Sequence, residues 1–273
     1  MLPLLVGGAV AAAAAGSAIY HSLAPRSQLY GATFIGTPGR GKQLALTYDD
    51  GPNDPHTLRL LDVLGKHGVK ATFFVIGNYV ERRPDIVRRI VAEGHEVGNH
   101  TYTHPVLSLC DSTNVRAELH ACDLQLALAT TSHDPQDEFQ VITSITNQPR
   151  PEDPVAGMMA FAKHRVSLSR SRLFRPPFGA RRPATLRIAR EMGYTPVMWS
   201  VWCFDWKTTS ADAVEQHAVR GITGGDVILL HDGSHKRFGA DRAHTVEATD
   251  RIIRRYKDQG FEFVTVGEMM SSS

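Results

Sequence analysis

The segment Thr47-Tyr48-Asp49-Asp50-Gly51-Pro52 places two adjacent carboxylates directly before a tight turn. Leucines at alternate positions, Leu44 and Leu46, are typical of a strand leading into it. The Gly-Pro pair is expected to end that strand, because proline cannot donate to a strand ladder. Adjacent carboxylates repel each other, and a nearby cation would keep them ionised. The segment therefore predicts a metal site at a strand end, the alternative being an acidic turn exposed to water.

Two histidines four residues apart, His100 and His104, follow about fifty residues later. Imidazoles at this spacing can face one ion from a helical turn or from a compact loop. The pair alone is a weak signal, since ordinary histidines also occur at this spacing. Together with Asp50 it offers two imidazoles and one carboxylate, a set that matches a catalytic zinc site with one position open for water. No cysteine lies in these motifs, so a closed structural zinc site is not predicted.

The two motifs above and three later ones resemble, in their order along the chain, the motifs of the polysaccharide deacetylases. These form the chitooligosaccharide deacetylase homology domain of carbohydrate esterase family four. The resemblance covers about residues 42–270. Three positions depart from the usual pattern: Tyr48 stands where the family usually has Phe, Phe178 where many members have Tyr, and Trp202 where many members have an acidic residue. The matching motifs are Thr47–Pro52, His100–His104, Arg175–Gly179 with Phe178 in place of the frequent Tyr, Asp205-Trp206, and Leu230-His231-Asp232.

The resemblance implies a role for each matching residue. The expected cofactor is a divalent metal, zinc or alternatively cobalt. Trp206 and Leu230 are expected to form apolar walls around an acetyl methyl group, unless they are simply core, and the Phe178 amide is expected to stabilise an oxyanion. The implied metal ligands are Asp50, His100 and His104. The implied catalytic base is Asp49 and the implied catalytic acid is His231, with Arg175 and Asp205 setting their charge states. The implied substrate-side residues are Phe178, Trp206 and Leu230.

The implied activity is removal of N-acetyl groups from glycans that contain N-acetylglucosamine, such as chitin oligomers or peptidoglycan, with release of acetate. Two alternatives remain open at this point: an O-acetyl esterase of the xylan type on the same site, and a non-catalytic carbohydrate-binding barrel. The formal net charge of +2 is too small to indicate nucleic acid as a partner. The resemblance implies an N-acetylated glycan as the partner.

Strand-like and helix-like stretches alternate along the chain, which indicates a parallel sheet or barrel. Each motif follows a strand-like run, and barrel enzymes place their chemistry at the carboxyl ends of strands. A chain of 273 residues that is 42% hydrophobic can bury one large core. We therefore expect a distorted, incomplete (β/α) barrel in a single domain. The predicted strands cover 44–47, 96–98, 173–174, 196–201 and 227–230, and the predicted helices cover 57–67, 85–93, 183–192 and 245–259.

The N-terminal residues 2–20 carry no charge and include five consecutive alanines. An apolar helix of roughly 20 residues can span a bilayer or form the core of a signal peptide. A buried core helix is the alternative, and Arg26 after the run is the opposite of the charge bias that favours export. We expect residues 1–20 to be a signal peptide or membrane anchor, residues 21–41 to be a linker, and the protein to act outside the cytoplasm, secreted or membrane-anchored.

A stretch at about residues 130–170 is rich in Pro, Asp, Gln and Ser. It lengthens the interval between the second and third motifs and is predicted to be an inserted subelement or a long loop on the face opposite the metal. The three cysteines, Cys110, Cys122 and Cys203, form no recognisable pairing pattern and are expected to be reduced thiols.

Overall fold

The computed structural model describes residues 2–130 and 172–272, and the side chains from residue 13 onward. The predicted insertion therefore lies outside the described residues, apart from its first position. Helices and strands alternate along the described chain, as the sequence predicts. The helices are α1 (Leu2–Leu23), α2 (His56–His67), α3 (Gly77–Arg82), α4 (Pro84–Ala92), α5 (Ser112–Thr130), α6 (Pro183–Glu191), α7 (Ala211–Gly221), α8 (Ala243–Asp258) and α9 (Val266–Ser271). The strands are β1 (Gln43–Gly51), β2 (Thr72–Val75), β3 (Glu96–Asn99), β4 (Leu173–Phe174), β5 (Thr195–Pro196), β6 (Val201–Trp202), β7 (Asp226–His231) and β8 (Glu262–Phe263).

The eight strands form one sheet in the order β5-β4-β3-β2-β1-β7-β6, and β8 pairs with the start of β1. Every ladder is parallel. Among the described residues β5 and β6 stand at opposite ends of the order without pairing, so the barrel is not closed. The expected distorted, incomplete (β/α) barrel is confirmed. Because parallel strands share one direction, their carboxyl ends meet at one edge of the sheet.

The two faces of the sheet bury two separate hydrophobic layers. Successive side chains of a strand point to opposite faces. On β7, Ile228 and Leu230 therefore pack in the outer layer, together with residues of α2, α4, α7 and α8. Val227 and Leu229 face the interior of the half-barrel, where they pack near Val197. The same alternation on β1 decides which of its residues reach the interior.

Most predicted elements are confirmed with their ends moved by one or two residues. The strand predicted at 196–201 is wrong, because this stretch contains two separate strands of two residues each, β5 and β6. Between them the backbone N–H of Met198 donates to Phe34 and that of Ser200 donates to Val227. The chain thus crosses from one end of the sheet to the other instead of following one neighbour.

The predicted linker is packed against the barrel. Phe34 forms a parallel bridge with Val197, and Gly36 forms an antiparallel bridge with Asp226. The side chain of Phe34 also packs on the inner hydrophobic layer. Residues 33–37 therefore belong to the folded body, and the segment is not a free tether.

Helix α1 covers Leu2–Leu23 at the N-terminal end of the described residues. Within the part of the chain that the structure describes, no helix combines the length and apolar character needed to cross a bilayer. The assignment of residues 1–20 as a signal peptide or anchor stays a prediction.

All three cysteines are free thiols, as predicted. Cys122 and Cys203 are fully buried in the outer hydrophobic layer. Burial raises the pKa of each of these two thiols well above its ordinary value. They therefore act as small apolar side chains.

The end of α1 is fastened to the barrel by a buried arginine. Arg181 donates to the carbonyl oxygens of Ala24 at 2.7 Å and Ser27 at 2.9 Å, and its backbone N–H donates to Ser22 at 3.1 Å. Hydrogen bonds from a charged donor contribute about 1.5–3 kcal/mol each, and leaving carbonyls unpaired adds to the loss. Arginine at this position therefore orders the chain between α1 and the sheet.

We expect Arg181→Ala to lower the free energy of unfolding by about 2 kcal/mol or more, because the part-buried carbonyl groups of Ala24 and Ser27 lose their charged donor. Amides of residues 20–27 should exchange hydrogen faster, which hydrogen-exchange mass spectrometry measures. Arg187→Ala on α6, whose side chain is 69% exposed, is the control and should change stability by about 0.5 kcal/mol at most. Equal exchange in both variants would show that Arg181 does not hold this segment.

Candidate active site

Most of the predicted site residues line a cavity of about 410 Å³ at the carboxyl edge of the sheet. Strand register brings them together, since Asp49 on β1 is the lateral partner of His231 on β7. Asn99 at the end of β3 is likewise the partner of Phe174, which precedes the third motif. Residues that line the cavity include Asp49, Asp50, His100, His104, Trp206 and His231.

A bulge in β1 turns both neighbouring carboxylates toward this cavity. In a regular strand the side chains of Asp49 and Asp50 would point to opposite faces. The register between β1 and β2 shifts between Asp49 and Gly51, and Asp50 adopts a positive φ of 70°. A bulge of this kind re-aims a side chain next to a functional site. The prediction of a simple strand end is therefore corrected: both aspartates lie within β1, at a bulge.

Arg175 holds Asp49 from inside the barrel. The Arg175 guanidinium is fully buried and donates to Oδ1 of Asp49 at 2.7 Å and to Oγ1 of Thr47 at 2.8 Å. It also donates to the carbonyl oxygen of Met198 at 3.0 Å and lies 4.1 Å from the ring centre of Phe74. Burial lowers the pKa of Arg175, and the adjacent Asp49 carboxylate opposes that effect. This pair fixes one oxygen of Asp49 and leaves the other toward the cavity.

The two histidines of the second motif occupy a compact loop after β3. Nδ1 of His100 lies 2.8 Å from the carbonyl oxygen of Arg175. A carbonyl accepts only, so Nδ1 carries the proton and Nε2 presents a lone pair. His104 adopts a positive φ of 62°, and its backbone N–H donates to Oγ1 of Thr101 at 3.1 Å. Of the two predicted geometries, the loop is the one observed.

Both imidazoles direct Nε2 at the same oxygen of Asp50. Oδ1 of Asp50 lies 3.1 Å from Nε2 of His104 and 3.5 Å from Nε2 of His100. This buried oxygen has no hydrogen-bond partner among the described residues. Burial lowers the pKa of His104 and so favours its neutral, ligating form. Converging lone pairs and an unpartnered carboxylate oxygen fit a divalent cation held by these three residues.

Asp205 and His231 form a second charged pair across the cavity. Nδ1 of His231 lies 2.8 Å from Oδ1 of Asp205, and the His231 backbone N–H donates to Oδ2 at 2.7 Å. Thr245 donates to the same Oδ2 at 3.0 Å. Burial alone would lower the pKa of His231, but the ionised Asp205 outweighs it and raises the pKa of His231 to about 9. The ring is therefore protonated at neutral pH, with Nε2 available to a substrate.

The apolar wall of the cavity differs from the prediction in one residue. Trp206 lines the cavity and packs against His231, with ring centres 5.2 Å apart. Phe178 also lines it and meets His104 edge-on at 4.6 Å. Leu230 does not, because strand alternation directs it into the outer hydrophobic layer. Its neighbour Leu229 lines the cavity instead.

Three residues of the site were not singled out from the sequence. Asn99 accepts the backbone N–H of Thr101 at 2.8 Å and so shapes the histidine loop. Burial raises the pKa of Asp232 to about 7, with Asp49 and Asp50 acting in the same direction. His235, four residues after His231, lines the cavity beside Asp50. Asn99 directly precedes the second motif and Asp232 is the last residue of the fifth, which is a usable signal, whereas a lone histidine in a loop offers none.

Known proteins resemble this chain in sequence and in fold. The family model described as Polysaccharide deacetylase matches residues 36–139. The chain is 34% identical over 236 residues to a peptidoglycan-N-acetylglucosamine deacetylase of Bacillus cereus, covering 85% of this chain and 90% of that protein. The chain belongs to the polysaccharide deacetylase family. It is also 35% identical over 221 residues to a chitooligosaccharide deacetylase of Sinorhizobium fredii, covering 79% of this chain and 86% of the relative.

A solved structure shares the fold of this polysaccharide deacetylase family member. The crystal structure of the Bc1960 peptidoglycan N-acetylglucosamine deacetylase, in complex with a naphthalenyl hydroxybenzamide compound, superposes with a TM-score of 0.68 at 31% identity. The match covers 87% of this chain and 91% of that one. Deacetylases of this family are metal-dependent. Among the described residues Asp50, His104 and His235 form an Asp/His/His set that could hold an ion.

The geometry predicts different jobs for the two adjacent aspartates. Asp49→Asn should retain zinc but lose turnover by about 100-fold or more, because an amide cannot accept a proton. Asp50→Asn should weaken zinc binding by at least about tenfold, since changes around metal ligands commonly cost 10–100-fold. Zinc affinity by chelator competition and acetate release by coupled assay measure the two effects.

Circular dichroism provides the folding control for both variants, because Asp49→Asn leaves the buried Arg175 without its charged partner. Equal loss of zinc from two folded variants would contradict the division into base and ligand.

Proposed function

We propose that this protein is a metal-dependent hydrolase that removes N-acetyl groups from glycans containing N-acetylglucosamine and releases acetate. One observation carries the proposal: the two adjacent carboxylates at the bulge have different partners. Asp49 pairs with the Arg175 guanidinium, and Asp50 faces two imidazoles. This arrangement supplies a base and a cation site side by side. The relatives named above, which act on peptidoglycan N-acetylglucosamine or chitooligosaccharide, support the substrate class.

Asp50, His100 and His104 are the residues that would hold the metal. When bound there, a divalent ion polarises the acyl carbonyl and lowers the pKa of water. Asp49 takes the proton of the attacking water through the carboxylate oxygen that Arg175 leaves free. Phe178 lines the cavity, and its backbone amide is the proposed donor to the developing oxyanion.

His231 supplies the proton that the departing amine requires. An amine is a poor leaving group until its nitrogen is protonated, so the reaction needs an acid that stays charged at neutral pH. Asp205 keeps the pKa of His231 at about 9 and so meets that need. The built proton donor favours amide hydrolysis over ester hydrolysis, since an alkoxide leaves with less assistance. Trp206 and Leu229 supply the apolar wall against which the acetyl methyl group packs.

The substrate class also bears on location. Peptidoglycan and chitin oligomers lie outside the cytoplasm, so we propose that the protein acts there, secreted or membrane-anchored. Residues 42–270 form the catalytic domain in this proposal. Zinc is the proposed metal, because neutral imidazole and carboxylate ligands suit it, and cobalt accepts the same ligands.

Acetate release across three substrates tests the proposal. The protein loaded with zinc should release acetate from peptidoglycan or chitooligosaccharides, and a chelator should abolish the release until zinc or cobalt is restored. Faster release from acetylxylan than from both N-acetylated glycans would make the protein an O-acetyl esterase. No release from any substrate, with zinc bound, would support the non-catalytic carbohydrate-binding alternative.

The Asp205–His231 pair predicts a bell-shaped dependence of kcat/KM on pH, because an ionised base and a protonated acid must coexist. His231 is protonated below its pKa of about 9, so activity should fall as the pH rises through this value. In Asp205→Asn the pKa of His231 should drop toward its ordinary value of 6.5, which moves the alkaline limb to lower pH. Stopped assays across the pH range measure the shift.

The same variant should lose more activity on the N-acetyl substrate than on a nitrophenyl acetate, whose leaving group departs without protonation. Asp212→Asn on α7, with a side chain that is 72% exposed, is the control and should leave the alkaline limb of the pH profile in place. Equal losses on both substrates with an unmoved limb would mean that Asp205 has only a structural role.

A further inference from the structure

A third histidine, His235, faces Asp50 from the loop between β7 and α8. Its Nδ1 lies 3.5 Å from Oδ2 of Asp50, and its backbone N–H donates to the same oxygen at 3.2 Å. The ligand atoms of Asp50, His104 and His235 all lie within 4.8 Å of one another. The motifs that identify the family do not include His235, so the family resemblance assigns it no role.

Packing orients the ring of His235 over the ligand His104. The two rings stack with their centres 4.4 Å apart and their planes 13° apart. Nδ1 of His104 is buried and meets no hydrogen-bond acceptor among the described residues, whereas Nδ1 of His100 is held by a carbonyl at 2.8 Å. The stack on His235, with Phe178 edge-on at 4.6 Å, therefore orients His104 where a hydrogen bond does not.

The backbone on both sides of His235 is anchored to three parts of the fold. The hydroxyl of Tyr79 on α3 donates to the Ser234 carbonyl at 2.9 Å. Nε of Arg242 donates to the Gly233 carbonyl at 2.7 Å. A Cβ atom at Gly233 would lie only 1.9 Å from a backbone oxygen of β1, so the loop approaches that strand as closely as glycine allows. His235 is thus placed beside the carboxylates by a built loop.

We propose that His235 is a fourth protein ligand of the metal, in addition to Asp50, His100 and His104. The inference rests on the metal site of the proposed function. Neutral imidazole is the form that binds metals, and Nδ1 of His235 already points at the shared carboxylate. The side chain of His235 is 28% exposed, against 4% for His104, so this ligand stands on the solvent side. Catalytic zinc sites sometimes expand from four to five ligands, so a fourth protein ligand is compatible with a position for water.

Zinc affinity, measured by competition with a chromophoric chelator, tests the proposal without an activity assay. His235→Ala should bind zinc at least about tenfold more weakly than the wild type, because losses around metal sites commonly reach 10–100-fold. Lys236→Ala changes the next residue of the same loop, which also lines the cavity. It should hold zinc no more weakly than the wild type, since it removes a positive charge. Unchanged zinc affinity in His235→Ala would overturn the proposal.

His235→Cys separates ligation from support by stacking. A thiolate that binds cobalt produces an intense charge-transfer absorption in the near ultraviolet, and a metal ligand is deprotonated on binding. The cobalt-loaded cysteine variant should show this band, and His235→Ala should not. If the folded cysteine variant lacks the band while His235→Ala binds zinc weakly, His235 acts only by packing on His104 and the proposal is wrong.

His100→Ala distinguishes this failure from failure of the proposed function. If His100→Ala loses zinc affinity and His235→Ala does not, only the fourth ligand is wrong and the deacetylase proposal stands. If His100→Ala binds zinc as tightly as the wild type, the metal site itself is wrong and both proposals fall.

Discussion

The buried ion pair between Arg175 and Asp49 is the interaction on which the other parts of the site depend. Moving a guanidinium out of water costs several kcal/mol unless its donors find acceptors. Arg175 meets that condition with the Asp49 carboxylate, the Thr47 hydroxyl and backbone carbonyls near β5. Its own carbonyl oxygen accepts from His100. One residue therefore positions the proposed base through its side chain and a proposed metal ligand through its backbone.

Backbone strain is concentrated in the segments that line or adjoin the cavity. The described residues include five non-glycine positions with positive φ, namely Asp50, Thr101, His104, Phe178 and Phe204. Such conformations cost about 1–2 kcal/mol each for residues with a side chain, and they persist where surrounding structure over-determines them. Here the surrounding structure is the parallel sheet with its two buried layers. Its stability holds a bulge and a loop in shapes that their local sequences do not favour.

Burial and charge drive two histidines of the site to opposite protonation states. His104 is buried beside a carboxylate that it shares with other imidazoles, and burial lowers its pKa. Among the described residues His231 is the one imidazole paired with the Asp205 carboxylate, which raises the pKa of His231 to about 9. Environments that separate the pKa values of similar groups are how one site assigns acid, base and ligand roles. The different pKa directions of these two histidines thus follow from burial and from the number of imidazoles that each carboxylate pairs with.

The sequence by itself determined the order of the elements, the family, and the residue types that meet at the site. Alternating strand-like and helix-like stretches marked most of the elements, and five ordered motifs named Asp49, Asp50 and their partners. These features are local, so they can be read one segment at a time. The orientation of individual side chains was decided only by the tertiary structure. The bulge directs Asp50 inward, strand alternation replaces Leu230 by Leu229, and a loop anchored from three sides brings His235 to the carboxylates. Each of these depends on contacts between segments far apart in the chain, and short-range sequence patterns carry no record of such contacts.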